Sequence, residues 1–193
     1  MKISLEPINQ EQPGKGKVLI SEPFLNDPYF RRSVVLLCDT DPDGTFGFTL
    51  NNYVKNINIS EVIKGFPKFE TKVSIGGPVK KDNLFYLHTL GDSIPESKMI
   101  MDGLYLGGDY SIAIELIKQG EIKEKDIRFF IGYSGWSKGQ LENEIDTKSW
   151  FVTSIDAETI MDTSEDNLWK KVLSKMGVKE KIISNIPDNH ELN

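Results

Sequence analysis

Apolar residues fall into short blocks separated by turn chemistry rather than into long helical faces. Three blocks come in quick succession, at residues 17–21 (Lys-Val-Leu-Ile-Ser), 33–38 (Ser-Val-Val-Leu-Leu-Cys) and 45–51 (Thr-Phe-Gly-Phe-Thr-Leu-Asn). Each is rich in β-branched or aromatic residues and bounded by Gly, Pro, Asp or Asn, which predicts strands. The connection 22–32 carries Pro23 and Pro28 and is too long for a tight hairpin, whereas Pro42-Asp43-Gly44 predicts an antiparallel turn. The same pattern predicts further strands at 72–75, 84–89, 99–101, 104–106, 127–131 and 150–153, with a glycine-rich loop at 132–139.

Helical spacing is rarer. Ile112, Ala113, Leu116 and Ile117 recur three to four apart between Asp109, a suitable N-cap, and Gly120, a suitable stop. Shorter helices are expected at 60–64, with Asn58 or Ser60 as cap, and at 140–145. A final helix is expected at 165–176, with Leu168, Val172 and Met176 on one face and Gly177 ending it. Polar residues 1–16, with Pro7, Pro13, Gly14 and Gly16, read as a flexible lead-in, 17–177 as a single domain and 178–193 as a frayed tail. Strands and helices mix without βαβ alternation, so the expected class is α+β rather than a doubly wound parallel sheet.

Composition narrows the function classes. A chain of 193 residues, 38% hydrophobic and 27% charged, can bury one core. The longest apolar run, Val34 to Cys38, is far below the roughly 20 residues that span a bilayer, and the N-terminus lacks a signal-like apolar stretch. A cytoplasmic location without membrane contact is therefore expected. One cysteine, Cys38, and two histidines leave no disulfide and no usual zinc pattern, so neither metal nor cofactor is expected. With 23 basic against 29 acidic residues, a net charge of −6 and only Arg31, Arg32 and Arg128 as arginines, direct nucleic-acid binding is disfavoured.

The densest unusual chemistry is Gly132-Tyr133-Ser134-Gly135-Trp136-Ser137-Lys138-Gly139-Gln140, ahead of Glu144. A strand that ends in glycines and opens a helix can aim backbone N–H groups at an anion. The spacing matches neither a P-loop nor a dinucleotide fingerprint, and Gly135 comes one residue too early for Ser134 to sit in a nucleophile elbow. The plainer alternative is that these glycines allow positive φ and close packing around Tyr133 or Trp136. Gly76-Gly77-Pro78, followed by Lys80 and Lys81, is a second such corner or simply a tight turn. His88 shares a strand face with Leu84 and Tyr86 and is a general base or, more simply, a structural histidine. Asn51 fixes a ligand or caps a turn, and Gln140 and Glu144 share a helix face.

No catalytic residue is assigned. The candidate ligand-binding set is Asn51, Gly76, Gly77, Pro78, His88, Gly132, Tyr133, Gly135, Trp136, Gln140 and Glu144. The leading expectation is a non-enzymatic binding or regulatory module for a small anionic ligand or a protein partner, with the oligomeric state open. The alternatives are a hydrolase or transferase using His88 or Glu144, a DNA-binding regulator, and a scaffold protein.

Together these segments resemble one bacterial family, the YqgE/AlgH proteins, from about Gly16 to Gly177. The resemblance rests on Gly132-Tyr133-Ser134-Gly135-Trp136 with Gly139-Gln140-Leu141 and Glu144-Ile145. It is supported by Pro23, Asp27-Pro28, Phe30, Arg32 to Leu37, Gly47, Leu50-Asn51, Gly76 to Val79, Leu87-His88 and Trp169. Ser134 stands where the family carries an alanine-like residue. The resemblance implies a compact α+β domain whose mixed sheet is strongly curved and barrel-like, with helices packed outside. Members are often labelled transcriptional regulators, and their biochemical role is uncharacterised.

Overall fold

The structure is a computed structural model whose described residues are 10–164 and 166–177. The start of the expected last helix at Glu165, the tail 178–193 and most of the lead-in lie outside them. In chain order the strands are β1 (Val18–Ser21), β2 (Val34–Asp41), β3 (Gly44–Thr49), β4 (Tyr53–Asn58), β5 (Lys72–Ile75), β6 (Val79–His88), β7 (Lys98–Met101), β8 (Leu104–Leu106), β9 (Ile127–Ser137) and β10 (Trp150–Thr153). The helices are α1 (Ile59–Val62), α2 (Tyr110–Gln119), α3 (Gln140–Asp146), α4 (Ala157–Met161) and α5 (Leu168–Lys175).

The strands form one sheet in the order β10-β1-β2-β3-β9-β6-β8-β7, and β4 joins through β5. Every pairing is antiparallel except β5 with β9. The class is α+β, with a large, mostly antiparallel sheet and few helices. The barrel-like expectation is corrected: β10 and β7 end the order without pairing, and closure requires the end strands to bond each other. The outer edge of β10 is instead engaged by the N-terminal segment, through the Glu11 N–H donating to the Val152 carbonyl at 3.0 Å.

Strand β1 and the first five residues of β2 are buried on both faces, which explains their near-continuous apolar sequences. Val18, Ile20, Val34 and Leu36 pack with Phe48 against Trp169, Val172 and Leu173 of α5. Leu19, Val35 and Leu37, one residue out of phase, pack with Trp150, Val152 and Leu141 of α3 on the opposite face. A third cluster joins Ala113 and Ile117 of α2 to Tyr86, Ile127 and Phe129. Helix α2 forms as its sequence predicts: the Asp109 carboxylate accepts the Ser111 and Ile112 N–H groups, and Gly120 closes it at φ 74°.

The largest departure is at β9. The expected loop 132–139 continues as strand through Ser137. Gly132, at φ 67°, kinks the strand without ending it, because pairing partners change there. Before the kink, residues 127–131 pair with β6 and residues 129–131 with β5; beyond it, Tyr133 still pairs with Val79 of β6, while residues 134–137 pair with β3 on the side that β5 has left. A glycine that reads as a breaker is here the joint between two halves of one long strand.

Candidate functional site

The two glycine corners meet each other. Strand β5 lies on one side of β9 and β6 on the other, so the chain between them must cross over the β9 backbone. It does so at Gly76-Gly77-Pro78, directly above Gly132 and Tyr133. A Cβ on Gly77 would lie 2.3 Å from the Tyr133 carbonyl carbon, one on Gly76 2.3 Å from the Gly132 oxygen, and one on Gly132 2.7 Å from the Val79 oxygen. The Gly76 carbonyl accepts from the Thr49 N–H and the Ser134 hydroxyl. Gly76, Gly77 and Gly132 are thus buried in a backbone crossing, and Pro78 leads out of it to β6.

Trp136, Gln140 and Glu144 form a second group on the opposite face. The indole N–H groups of Trp136 and Trp150 both donate to one Glu144 oxygen, at 2.9 and 2.8 Å. The Gln140 amide donates to the other oxygen at 2.9 Å and accepts the Ser137 N–H. Phe30 stacks on Trp136 and meets Trp150 edge-on. This arrangement clamps α3 onto β9 and β10 and engages both Glu144 oxygens.

Asn51 and His88 lie apart from both groups. The Asn51 side chain accepts the Val34 N–H and donates to the Arg32 carbonyl, tying the start of β2 to the end of β3. His88 pairs with Ile127 at the far end of β9 and is fully buried. Its Nδ1 accepts the Leu90 N–H, which leaves Nε2 to carry the proton, facing the Gly107 carbonyl at 3.0 Å and the Ser97 hydroxyl at 2.9 Å. Burial lowers its pKa, and the Tyr105 ring stacks against it. Burial pushes the Cys38 thiol up, far from thiolate chemistry.

Arg128 carries a role that the sequence reading missed. It is fully buried in β9. Its guanidinium donates to the carbonyls of Leu50 and Ile160, to the Ser74 hydroxyl and to Tyr53 Oη, and packs over the Phe130 ring. Burial lowers its pKa, opposed by Tyr53 and more remotely by Asp162. The residue joins β9 to β5, to the exit of β3 and to the C-terminal end of α4, where free carbonyls favour a cation. One signal was available: a single arginine interrupts the otherwise apolar run 127–131.

An open surface lies at the hairpin end of β2 and β3, beside the end of β9. A cavity of about 480 Å³ lies there, with Phe46, Tyr133 and Gly135 among its walls and Asp39, Asp41 and Asp43 at its rim. The register explains the grouping. A bulge between Leu37 and Asp39 sets Asp39 opposite Phe46, which in turn pairs with Gly135, so the three share one face. The Asp41 carboxylate accepts the Asp43 and Gly44 N–H groups, shaping the hairpin. Of the expected set, Tyr133, Gly135 and Trp136 line this cavity; Asn51, Gly76, Gly77, Pro78, His88, Gly132, Gln140 and Glu144 do not. Gly135 differs from the crossing glycines. Its φ is not positive, and an added Cβ would meet only the Tyr133 ring at 3.2 Å and a Val79 methyl at 4.0 Å.

No group of three or more His, Cys, Asp or Glu among the described residues could hold a metal ion, and no helix among them is long and apolar enough to cross a membrane.

Comparisons with known proteins agree with the fold. A family model described as AlgH-like (DUF179) matches residues 18–181. A UPF0301 protein of Cytophaga hutchinsonii is 42% identical over 180 residues, covering 93% of this chain and 98% of that protein. One from Bacteroides thetaiotaomicron is 42% identical over 180 residues, covering 93% and 91%. The solution structure of the AlgH protein from Pseudomonas aeruginosa superposes with a TM-score of 0.71 at 25% identity, covering 92% of this chain and 97% of that one. The crystal structure of protein DIP2367 from Corynebacterium diphtheriae shares the fold, with a TM-score of 0.72 at 23% identity over 87% and 90%. With the model spanning nearly the whole domain and relatives aligned end to end, the chain belongs to the AlgH-like family.

Proposed function

We propose that this domain is a cytoplasmic, non-enzymatic binding module whose contact face is the cavity over Phe46, Tyr133 and Gly135. The observation that supports this reading most is Gly135. A Cβ there would crowd the edge of the Tyr133 ring at 3.2 Å and no backbone, so the glycine is not required by a chain crossing and keeps this part of the lining open. A protein segment, or a neutral or cationic small group, suits the face better than the small anion expected from the glycine corners. The lining carries Asp39, Asp41 and Asp43 without a lysine or arginine, and an anion would meet carboxylates. The same rim argues against a phosphate backbone at this face. The hydrolase or transferase alternative loses support because His88 is sealed and Glu144 holds two indoles.

Three ring probes matched in size and different in charge test the reading: benzamidine, benzyl alcohol and benzoate. Titrated to millimolar concentration, the first two are expected to shift the amides of Phe46, Tyr133 and Gly135, with benzoate weakest. Gly135→Leu, which sets a branched side chain into the cavity beside Phe46 and Tyr133, is expected to weaken the shifts strongly while the protein stays folded. Silence of these amides with all three probes would sink the proposal.

A further inference from the structure

We propose that the cavity is the side pocket of a strand-addition site, at which the end of β9 takes an extended protein segment carrying an arginine or lysine. The inference rests on the cavity being a contact face, and names the chemistry of its partner. The main chain supplies the first argument. In an antiparallel pair, alternate residues turn their N–H and C=O groups toward the neighbouring strand and the others turn them away. The Ser137 N–H donates to the Gln140 side chain and the Gly44 N–H to the Asp41 carboxylate, so the pair Gly44–Ser137 exchanges no bonds between β3 and β9. Two residues earlier, Gly135 has the same phase and turns both groups away from β3. On that side β6 begins at Val79, opposite Tyr133, and the chain before Val79 leaves over the β9 backbone at Gly77. Among the described residues no strand faces Gly135 there, and Gly135 is exposed. Such an edge accepts an added strand.

The cavity selects the side chain. A residue set opposite Gly135 on an added strand would share its face with Phe46 and Asp39, since cross-strand neighbours point the same way. Gly135 has no side chain to block the path across β9, and Phe46 and Tyr133 supply apolar walls for a stem. Three strand spacings, roughly 14 Å, separate the added strand from β2 and Asp39. Only a long side chain with a charged head, arginine or lysine, covers that span while laying its stem along the rings. Asp39, Asp41 and Asp43 complement the head, and no lysine or arginine lines the cavity. Lys80 and Lys81 follow Val79 toward Leu84, which pairs with Ile131, so they lie on the side of Tyr133 away from Gly135. An acidic segment would meet the aspartates and a net charge of −6.

Amide hydrogen exchange on the full chain tests the edge: the Gly135 N–H should exchange about tenfold or more faster than those of Ser134 and Trp136, which face β3. A blocked pentapeptide, Thr-Val-Arg-Val-Thr, titrated to millimolar concentration, is expected to shift the Gly135 amide and slow its exchange. Three changes should each weaken binding about tenfold or more: glutamate in place of the peptide's arginine, methylation of that arginine's backbone nitrogen, and Asp39→Asn with Asp43→Asn in the protein. Far-UV circular dichroism confirms that the double variant is folded. Slow exchange at Gly135 in the free chain, no response to the peptide, or undiminished binding after any of the three changes would each overturn the inference. If the peptide is silent while benzamidine still shifts the cavity amides, strand addition falls and the binding reading stands.

Discussion

Glycine does two different jobs within four residues of β9, and substitution should separate them. At Gly132 and at Gly77 above it, a methyl group would enter the space of another backbone, with no side chain able to move aside. Gly77→Ala or Gly132→Ala is expected to destabilise the domain by about 3 kcal/mol or more, lowering the urea midpoint at unchanged slope. Gly135→Ala meets only an aromatic edge that can shift by a few tenths of an ångström, and is expected to stay within about 1 kcal/mol of the parent. Equal losses at all three positions would refute the distinction. The sequence alone could not draw it, because glycine spacing records that side chains are missing and not what occupies the space.

Among the elements, α3 and α4 are too short to stand alone and depend on buried apolar residues together with a few polar anchors. Glu144→Ala would leave the Trp136 and Trp150 indole N–H groups without their acceptor. A loss of about 2–3 kcal/mol is expected, with a red shift in tryptophan emission as α3 loosens; Glu144→Gln should retain more, since its amide oxygen can still accept. Arg128→Met would strip the Leu50 and Ile160 carbonyls and the Ser74 hydroxyl of their donor, for about 3–5 kcal/mol. Arg128→Lys is expected to rescue little, because one ammonium cannot span the guanidinium's several directions. Helix α2 was legible because its cap, apolar spacing and stop are all local. Arg128 was not, since its partners lie 32 to 78 positions away. Helix α4, five residues long, carries too little periodicity to register. The aspartates of the β2–β3 hairpin read only as turn chemistry, because the bulge that aligns Asp39 with Phe46 leaves no mark in the sequence.

For the whole molecule, His88 sets one branch of the pH dependence. Its pKa is lowered in the folded state, so between that value and the ordinary one near 6.5 the unfolded chain binds the extra proton. Stability is therefore full above about pH 6.5 and falls as acid protonates the unfolded histidine preferentially. Protonation at Nδ1 would also break the bond from the Leu90 N–H, which loosens the β6 end of the sheet. Urea midpoints between pH 7.5 and 5 should fall for the parent and stay flatter for His88→Gln; parallel curves would remove this assignment. At lower pH a second loss is expected from Asp156 and Asp162, whose carboxyls are held below their usual range by hydrogen bonds at the ends of α4.

The passage of residues 76–78 over β9 also governs the order of assembly. Strands β5 and β6 are neighbours in sequence, yet β9, made some fifty residues later, must lie between them. A β5–β6 hairpin formed early would occupy the slot that β9 needs and would have to reopen, which predicts a slow refolding phase set by that trap. Cutting the chain between Gly77 and Pro78 and joining the natural ends through a flexible linker would free β6 to dock after β9, and the slow phase should shrink. The same three residues that seal a packed joint in the finished sheet thereby act as its last fastening.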